Sequence, residues 1–215
     1  MEGIVYKQQS YLENDRLLFV YTKLGRITLV AKGSQKMTSN IRNVAQYLNL
    51  IYFKEVPQKN MYALIEGKTL NDFQNIKSNF DLMTQASILF DLIGFVADND
   101  DHESIYTLLE GALLHFSKES ILSFGFKLLS YLGYQISLKP DGRRVKGVNI
   151  KTASIVYEKE PYVANIDVHQ TTLLVRLTYL EYDKIDAIDE INYRELKEFM
   201  YAYYEYHTDH KLTRK

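Results

Sequence analysis

The segment RITLVAKGSQKMTSNIR, residues 26–42, changes from a strand pattern to a polar loop. Its first part, Arg26–Lys32, alternates two sets of side chains, which is typical of a β-strand. After Gly33 the chain is polar, and the segment contains no acidic residue. Its loop cations are Lys32, Lys36 and Arg42. We therefore predict a strand that ends in a flexible cationic loop able to reach phosphate groups.

Further short strand patterns surround this segment in the first 70 or so residues. They are Gly3–Lys7, Arg16–Thr22, Tyr47–Phe53 and Met61–Glu66. Turn-forming residues such as Gly25 and Gly67 separate them. Five short strands favour a small closed barrel of the oligonucleotide-binding (OB) type, and an SH3-like barrel fits the strand count nearly as well.

The pattern becomes helical after residue 78, with one apolar stripe formed by Leu82, Ala86, Leu89, Ile93 and Val96. We predict further helices at about 103–116, 118–132, 170–180 and 192–207. Ser117 is the expected N-cap of the second of these, and Gly133 the residue that ends it. Asn192 and Glu195 suggest a capping box for the last. The fold class is therefore α+β, with a barrel domain at 1–76 and a helical domain at 77–215. Because the chain has few prolines, we expect the two domains to pack directly together.

A less regular insertion at about 139–168 interrupts the helical domain. Pro140-Asp141-Gly142 is a strong turn signal. Two β-like runs, Ala153–Tyr157 and Tyr162–Ile166, predict a small hairpin. The densest basic cluster of the chain also lies here, comprising Arg143, Arg144 and Lys146 with Lys139 and Lys151 beside them.

Charge is distributed unevenly along the 215 residues, although the net charge is −1. Residues 1–60 carry nine basic and four acidic side chains, whereas residues 61–138 carry four and ten. This asymmetry suggests a basic working face and an acidic body. The absence of cysteine excludes disulfides and thiolate metal sites. With no membrane-length apolar run and no signal-peptide pattern, we expect a cytoplasmic protein.

No motif of an enzyme active site is present. The sequence lacks a phosphate-binding glycine loop, a GxSxG nucleophile motif and an HExxH zinc motif. His207 and His210 have a metal-like spacing, but without further ligands a polar helix end is the better interpretation. We therefore expect neither an enzyme nor a metal cofactor.

Aromatic residues are mixed with the basic residues of the first domain. They are Tyr6, Tyr11, Tyr21, Tyr47, Tyr52 and Phe53. An OB barrel binds single strands by stacking bases on exposed rings while cations follow the phosphates. We expect about two of the six rings to be exposed and the rest to be core. The candidate nucleic-acid-binding cations are Arg16, Lys23, Arg26, Lys32, Lys36, Arg42, Arg143, Arg144 and Lys146.

Several motifs resemble those of the RecO family, the bacterial recombination mediators. They are EGIV at 2–5, YLEND at 11–15, Thr22, Gly25, AKGSQK at 31–36, FGFKLLSYLGY at 124–134 and the terminal segment at 196–215. The resemblance implies an OB domain and a helical body that bind single- and double-stranded DNA and anneal complementary strands. It also implies a nucleoid-associated protein that partners RecR and the C-terminal tail of single-strand-binding protein, and so helps to load RecA.

The sequence departs from that family pattern at two places. The paired cysteines that many relatives carry in a zinc-binding insertion are absent, so zinc is not expected here. Gln35 stands where arginine is common in the loop motif. On this view the insertion must be held together by packing alone.

One helix face is a candidate for partner binding. Phe124, Lys127, Leu128 and Tyr131 share it at spacings of three and four. The face could simply be core, but the resemblance suggests that it receives the acidic, aromatic tail of single-strand-binding protein, with Lys127 as the charge contact. Two other functions fit the residues, namely an OB protein for single-stranded RNA and a scaffold that contacts proteins alone.

Overall fold

The computed structural model describes residues 1–58 and 61–215. They form two compact units, the first made of residues 1–83 and 101–110 and the second of residues 84–100 and 111–215. None of the described helices is long and apolar enough to cross a membrane.

The first unit contains a closed five-stranded barrel. Its strands are β1 (Glu2–Tyr11), β2 (Asp15–Thr22), β3 (Gly25–Ala31), β4 (Leu50–Gln58) and β5 (Met61–Asn71). They follow the order β1-β2-β3-β5-β4, in which β3 and β5 run parallel and the other described pairs antiparallel. Closure pairs the strand edges with one another, as in an OB barrel, so the predicted barrel is confirmed.

The start of β4 differs from the prediction, because residues 47–49 form a turn and the strand begins at Leu50. Leu48 has a φ of 61°, in the left-handed region that ends extended structure. Its N–H donates to the Val5 carbonyl at 2.8 Å, and the Val5 N–H donates to the Asn49 carbonyl at 2.9 Å. These bonds fix the chain direction before the ladder of β4 begins.

The barrel core is built from side chains that alternate along the strands, such as Leu18, Val20 and Leu29. Val44 and Ala45 from the β3–β4 loop (residues 32–49) join the same core. Complete burial of a side chain such as Phe53 contributes about 1.5–3 kcal/mol. The second half of the loop is therefore part of the barrel core.

Six α-helices are present among the described residues. They are α1 (Gln74–Lys77), α2 (Phe80–Ile93), α3 (His102–Leu114), α4 (Lys118–Tyr131), α5 (Val168–Tyr179) and α6 (Glu190–Thr208). Ser117 is the N-cap of α4, as predicted, and its hydroxyl accepts from the Ser120 N–H at 3.1 Å. A short 3₁₀ helix, Tyr182–Lys184, follows α5.

The predicted cap of α6 is wrong, because the helix begins at Glu190 with Asp189 as its N-cap. The Asp189 carboxylate accepts from the N–H groups of Ile191 at 3.1 Å and Asn192 at 3.0 Å. One upstream carboxylate thus satisfies two first-turn donors, and Asn192 lies inside the helix. Glu195 accepts instead from the side-chain amide of Gln170 on α5.

The predicted hairpin is also wrong in one strand. β7 (Ser154–Tyr157) pairs with β6 (Val145–Asn149), whereas residues 162–166 form no strand and make a single bridge between Val148 and Ile166. A short turn joins β6 to β7, in which the Asn149 side-chain oxygen accepts from the Thr152 N–H at 3.0 Å. Four residues separate the two strands in either pairing, so loop length does not decide between them, whereas the Asn149 side chain stabilises the observed turn.

Candidate nucleic-acid interface

The β3–β4 loop is fixed to the turn between β1 and β2. Gly33, at a φ of +65°, donates its N–H to the Asp15 carboxylate at 2.7 Å. The Gln35 side-chain amide donates to the Asp15 carbonyl at 2.7 Å, and the Gln35 N–H donates to the Asn14 carbonyl at 2.9 Å. These hydrogen bonds, which we call the clamp, hold the loop in place. The sequence predicts a flexible loop, whereas the observed loop is ordered by the clamp.

Two of the predicted DNA-binding arginines support this loop. Arg42 donates to the Gln35 carbonyl at 2.9 Å, and Arg16 donates to the Ala45 carbonyl at 3.1 Å. Charged donors to backbone carbonyls are among the stronger hydrogen bonds of proteins. Gln35 therefore lies at the centre of the contacts that hold the loop.

Lys32 and Lys36 are the exposed cations of the clamped loop. Within residues 1–58 and 61–215, no hydrogen bond or ion pair engages either ammonium group. Because both charges are unneutralised and solvated, they can bind phosphate at little cost in broken contacts. The structure thus leaves two of the predicted cations exposed on one loop, where they are candidates for contacts with phosphate.

Lys23 and Arg26 lie at the β2–β3 turn. Lys23 approaches Glu103 at 3.9 Å, and both side chains are more than half exposed, so the pair contributes about 0–1 kcal/mol. Arg26 is exposed and faces Tyr21 in the β2–β3 register. Tyr21 itself is buried and its hydroxyl lies 3.1 Å from His102 Nδ1. The α3 end of the first unit therefore packs beside this turn.

An aromatic patch on the outer face of β1 and β2 is a further candidate for base stacking. The rings of Tyr6 and Phe19 are 6.3 Å apart, and Lys7 Nζ lies 5.1 Å from the centre of the Phe19 ring. Partial burial raises the pKa of Tyr6, and the nearby Arg26 charge opposes that shift. A ring next to a cation is the combination that holds single strands.

Few of the predicted rings are available. Tyr21 and Phe53 are completely buried, Tyr52 is 42% exposed, and the other three are half-buried. The prediction from sequence missed Phe19 and the exposed Tyr62. The alternation of β2 contained the signal for Phe19, since Leu18 and Val20 on either side of it face the core.

The second basic cluster is neutralised by acidic side chains. Arg143 contacts Asp141 at 2.7 Å and Glu160 at 2.7 Å, and it lies 3.9 Å from the centre of the Tyr157 ring. The hydrogen bond from Arg143 lowers the pKa of Asp141 below its usual value. For Glu160, the Tyr157 N–H is the main cause of a lowered pKa, with Arg143 adding to it. Arg143 is thus engaged within the insertion.

Of the neighbouring cations, one is ion-paired and one is hydrogen-bonded to a backbone carbonyl. Arg144 contacts Glu158 at 3.1 Å, and Lys146 donates to the Tyr162 carbonyl at 3.0 Å. Lys139 and Lys151 are exposed. A phosphate would have to displace carboxylates from both arginines, which makes this cluster a poorer anion site than the barrel loop.

The proposed partner face is largely core. Phe124 and Leu128 have no exposed surface. Lys127 donates to the Leu180 carbonyl at 2.6 Å and lies 4.2 Å from the centre of the Tyr182 ring, and burial lowers its pKa. Tyr131 is exposed. A peptide could therefore reach Tyr131 and the edge of Lys127, while the two apolar side chains offer it no surface.

The two spaced histidines have separate contacts. His207 Nε2 lies 2.9 Å from the Ile150 carbonyl, and His210 Nδ1 lies 2.6 Å from the Thr208 carbonyl. Within the part of the chain that the structure describes, no three His, Asp or Glu side chains are grouped as metal ligands would be.

Two family models match the chain. "Recombination protein O N terminal" matches residues 1–73, and "Recombination protein O C terminal" matches residues 77–215. Together the two models cover the barrel and the helices that follow it.

Individual relatives give the same family name. The DNA repair protein RecO of Clostridium perfringens is 34% identical over 143 residues, which are 61% of this chain and 57% of the relative. The RecO proteins of Clostridium acetobutylicum (28% over 159 residues, 68% and 63%) and Mycoplasma capricolum (26% over 148 residues, 64% and 59%) are similar. The aligned part of the chain thus spans less than two thirds of each relative. Matched by both terminal models, the chain belongs to the recombination protein O family.

Proposed function

We propose that this chain is a non-enzymatic mediator of DNA repair and recombination that binds single- and double-stranded DNA and anneals complementary strands. The observation that carries the proposal is the pair of unneutralised lysines, Lys32 and Lys36, on a clamped loop at the rim of an OB barrel. The names of its relatives, DNA repair proteins, support the same biological role.

Phosphate contacts suit an annealing protein. Lysine binds phosphate as a point charge and releases counterions without reading base identity. Two strands held by their backbones keep their base edges free to pair with each other. The clamp supports this role because a loop that is already ordered loses little conformational entropy when it binds.

The partners implied by the family are part of the proposal. They are RecR, the acidic tail of single-strand-binding protein and, indirectly, RecA. For the tail we retain Lys127 and Tyr131 as contacts, with Phe124 and Leu128 as the packing behind them. A carboxylate of the tail would then compete with the Leu180 carbonyl for the Lys127 ammonium group.

The decisive experiment compares two variants that lose the same number of charges. We expect K32A/K36A to weaken binding of a labelled single-stranded oligonucleotide in fluorescence anisotropy. The slope of log affinity against log salt should fall by about 1.4, which is about 0.7 for each lost phosphate contact. R143A/R144A should leave the slope nearly unchanged, because both arginines are already paired with carboxylates.

An unchanged slope in K32A/K36A would contradict the proposed interface, and an equal fall in R143A/R144A would move it to the insertion. Unlabelled RNA that competes as well as the same DNA sequence would favour an RNA-binding protein instead. The annealing rate of complementary oligonucleotides should fall in K32A/K36A together with binding.

A further inference from the structure

A polar cleft of about 850 Å³ opens in the first unit beside α1 and the end of the β3–β4 loop. Five carboxamide side chains line it, those of Gln8, Asn43, Gln46, Asn49 and Gln74. They come from β1, the loop and α1, segments that are distant in the chain. A carboxamide has both a donor and an acceptor, and those of Asn43 and Gln74 make no hydrogen bond among the described residues, so they are available to a ligand.

Asn49 connects the loop to α1 at the back of this cleft. It is buried, and its amide donates to the Asn43 carbonyl at 2.7 Å. Its carbonyl oxygen accepts from the ammonium group of Lys77. Burial lowers the pKa of Lys77, while the charge of Asp72 opposes that shift. With Lys77 and Asp72 as its charged lining residues, the cleft has no excess of either sign.

Gln8 leaves a hydrogen bond unmade. Its register partner on β2 is Leu18, and its side-chain oxygen is buried without a partner among the described residues. A buried acceptor of this kind is costly unless a donor reaches it. Rotation of the Gln8 side chain would bring this oxygen to the N–H group of a ligand in the cleft.

The backbone at the edges of the cleft is strained. Leu48, between Tyr47 and Asn49, has a φ of 61°, and Phe73, between Asp72 and Gln74, has a φ of 46°. Left-handed conformations of bulky residues are unfavourable and tend to be kept where they position functional groups. Each strained residue thus lies between two residues that line the cleft and fixes the course of the chain there.

The lining selects a class of ligand. A metal ion would need more than one carboxylate, and a polyanion would need more than one cation. Carboxamides pair instead with the edges of nucleobases, and tyrosine rings such as Tyr47, which also lines the cleft, stack on bases that have left a helix.

We propose that this cleft holds an unpaired nucleobase of a single strand whose phosphates lie on Lys32 and Lys36. The inference rests on the proposed DNA-binding function and extends it, since one loop would supply phosphate contacts from its first half and base contacts from its second. A neutral cleft with several rotatable amides accepts more than one base, which fits binding without strict sequence preference.

The test removes the amides and the base separately. Asn43 and Gln74 are exposed and their side chains make no hydrogen bond among the described residues, so N43A/Q74A should keep the fold. Asn40 and Asn75 are exposed neighbours outside the cleft, and N40A/N75A is the matched control. Each protein is titrated with a labelled single-stranded oligonucleotide and with the same oligonucleotide carrying abasic sites.

We expect N43A/Q74A to bind the intact oligonucleotide roughly fivefold more weakly than wild type, as for the loss of base-edge contacts. Its affinity should fall less than that of wild type on going to the abasic oligonucleotide, since only stacking on rings such as Tyr6 and Phe19 remains, and its salt slope should match that of wild type. The control should behave as wild type, losing affinity only when bases are removed.

The two proposals fail in different ways. Wild type that does not bind the intact oligonucleotide would overturn the DNA-binding function. Wild type that binds intact and abasic strands equally would overturn the nucleobase cleft while leaving the proposed phosphate contacts in place. The nucleobase cleft would also be overturned if N43A/Q74A kept the full sensitivity of wild type to base removal. The same holds if the control N40A/N75A lost as much affinity as N43A/Q74A.

Discussion

The two basic segments of this chain look alike in sequence and differ in structure. The β3–β4 loop has three cations, no acidic residue, and two lysines that remain unengaged among the described residues. The insertion has the denser cluster, yet Arg143 lies between Asp141 and Glu160, and Arg144 contacts Glu158. The count of Lys and Arg favours the insertion, whereas the loop contains no acidic residue that competes with a ligand for its cations.

The difference teaches that a charge cluster must be judged after the fold has added its counter-charges. The carboxylate of Glu160 lies 17 residues from Arg143 in the chain and reaches it because Tyr157 and β7 bring it back. In this chain, ion pairs and the stacked Tyr157 ring hold the insertion together. We therefore treat the insertion as a structural element and the loop as the binding element.

The largest effect that separates the two roles is expected from G147A. A Cβ atom at Gly147 would lie 2.0 Å from the Ile166 carbonyl oxygen and 2.7 Å from Ala164 Cβ, in backbone at a φ of +154°. Because a backbone atom is the obstacle, the free energy of unfolding should fall by more than about 2 kcal/mol, measured by chemical denaturation.

Single-stranded DNA affinity of G147A, measured where the protein is still folded, should stay at the wild-type value. G142A is the matched control, since Gly142 has a φ of +92° but no atom within 4 Å of the added Cβ, so it should cost only about 1–2 kcal/mol. If DNA affinity is lost together with the hairpin, the insertion is a binding element and the comparison is reversed.

An intermediate effect is expected from D15A, which removes the acceptor of the Gly33 N–H. Loss of this hydrogen bond should reduce the free energy of unfolding by about 1 kcal/mol and release the loop. DNA affinity should fall severalfold, although removal of a negative charge alone would raise it. Anisotropy titrations and denaturant unfolding measure the two effects.

The control for this change is E13A. Glu13 is an exposed carboxylate in the β1–β2 turn, two residues before Asp15. Its replacement by alanine therefore removes the same charge as D15A. E13A should bind DNA as well as wild type or slightly better. D15A binding that matches E13A would show that the clamp has no part in DNA binding.

The smallest expected effect is on how the thermal midpoint depends on pH. In the folded protein the pKa values of Asp141 and Glu160 lie below their usual values, so the unfolded chain takes up protons first as pH falls. The ion pairs with Arg143 therefore stabilise the insertion at neutral pH, and this stabilisation is lost below about pH 4. The difference in thermal midpoint between wild type and R143A should be small at neutral pH and should shrink steadily as pH falls below about 4.

K32A is the control for the measurements at different pH, because no carboxylate is paired with Lys32 among the described residues. Its midpoint should follow that of wild type at every pH. A gap between wild type and R143A that stays constant with pH would mean that Arg143 acts through the Tyr157 ring and not through its carboxylates.

The sequence was sufficient for features that depend on neighbouring residues. The barrel strands follow from alternation, the long helices from their apolar stripes, and the cap of α4 from one serine. It failed where two local solutions compete. Asp189 precedes Asn192 and caps the helix first, and Val145–Asn149 pairs with β7 through a turn that the Asn149 side chain stabilises.

The candidate site was predicted only in part, because its contacts join distant residues. Lys32 and Lys36 were identified correctly as exposed loop cations, whereas no pattern indicated that Arg16 would support Ala45, or that Lys127 would bind Leu180. The carboxamide cleft was missed for the same reason. Its side chains come from separate segments and have no common spacing.

The way in which the barrel closes has a consequence for how it folds. β1, β2 and β3 form a meander and β4 with β5 a hairpin, so each part pairs neighbours in the chain. The two parts join only through short ladders, three pairs between β1 and β4 and two described pairs between β3 and β5. Local pairing is fast and distant pairing slow, so the two parts form early and dock late. The amide hydrogens of the β3–β5 ladder should then be among the first in the barrel to exchange with solvent.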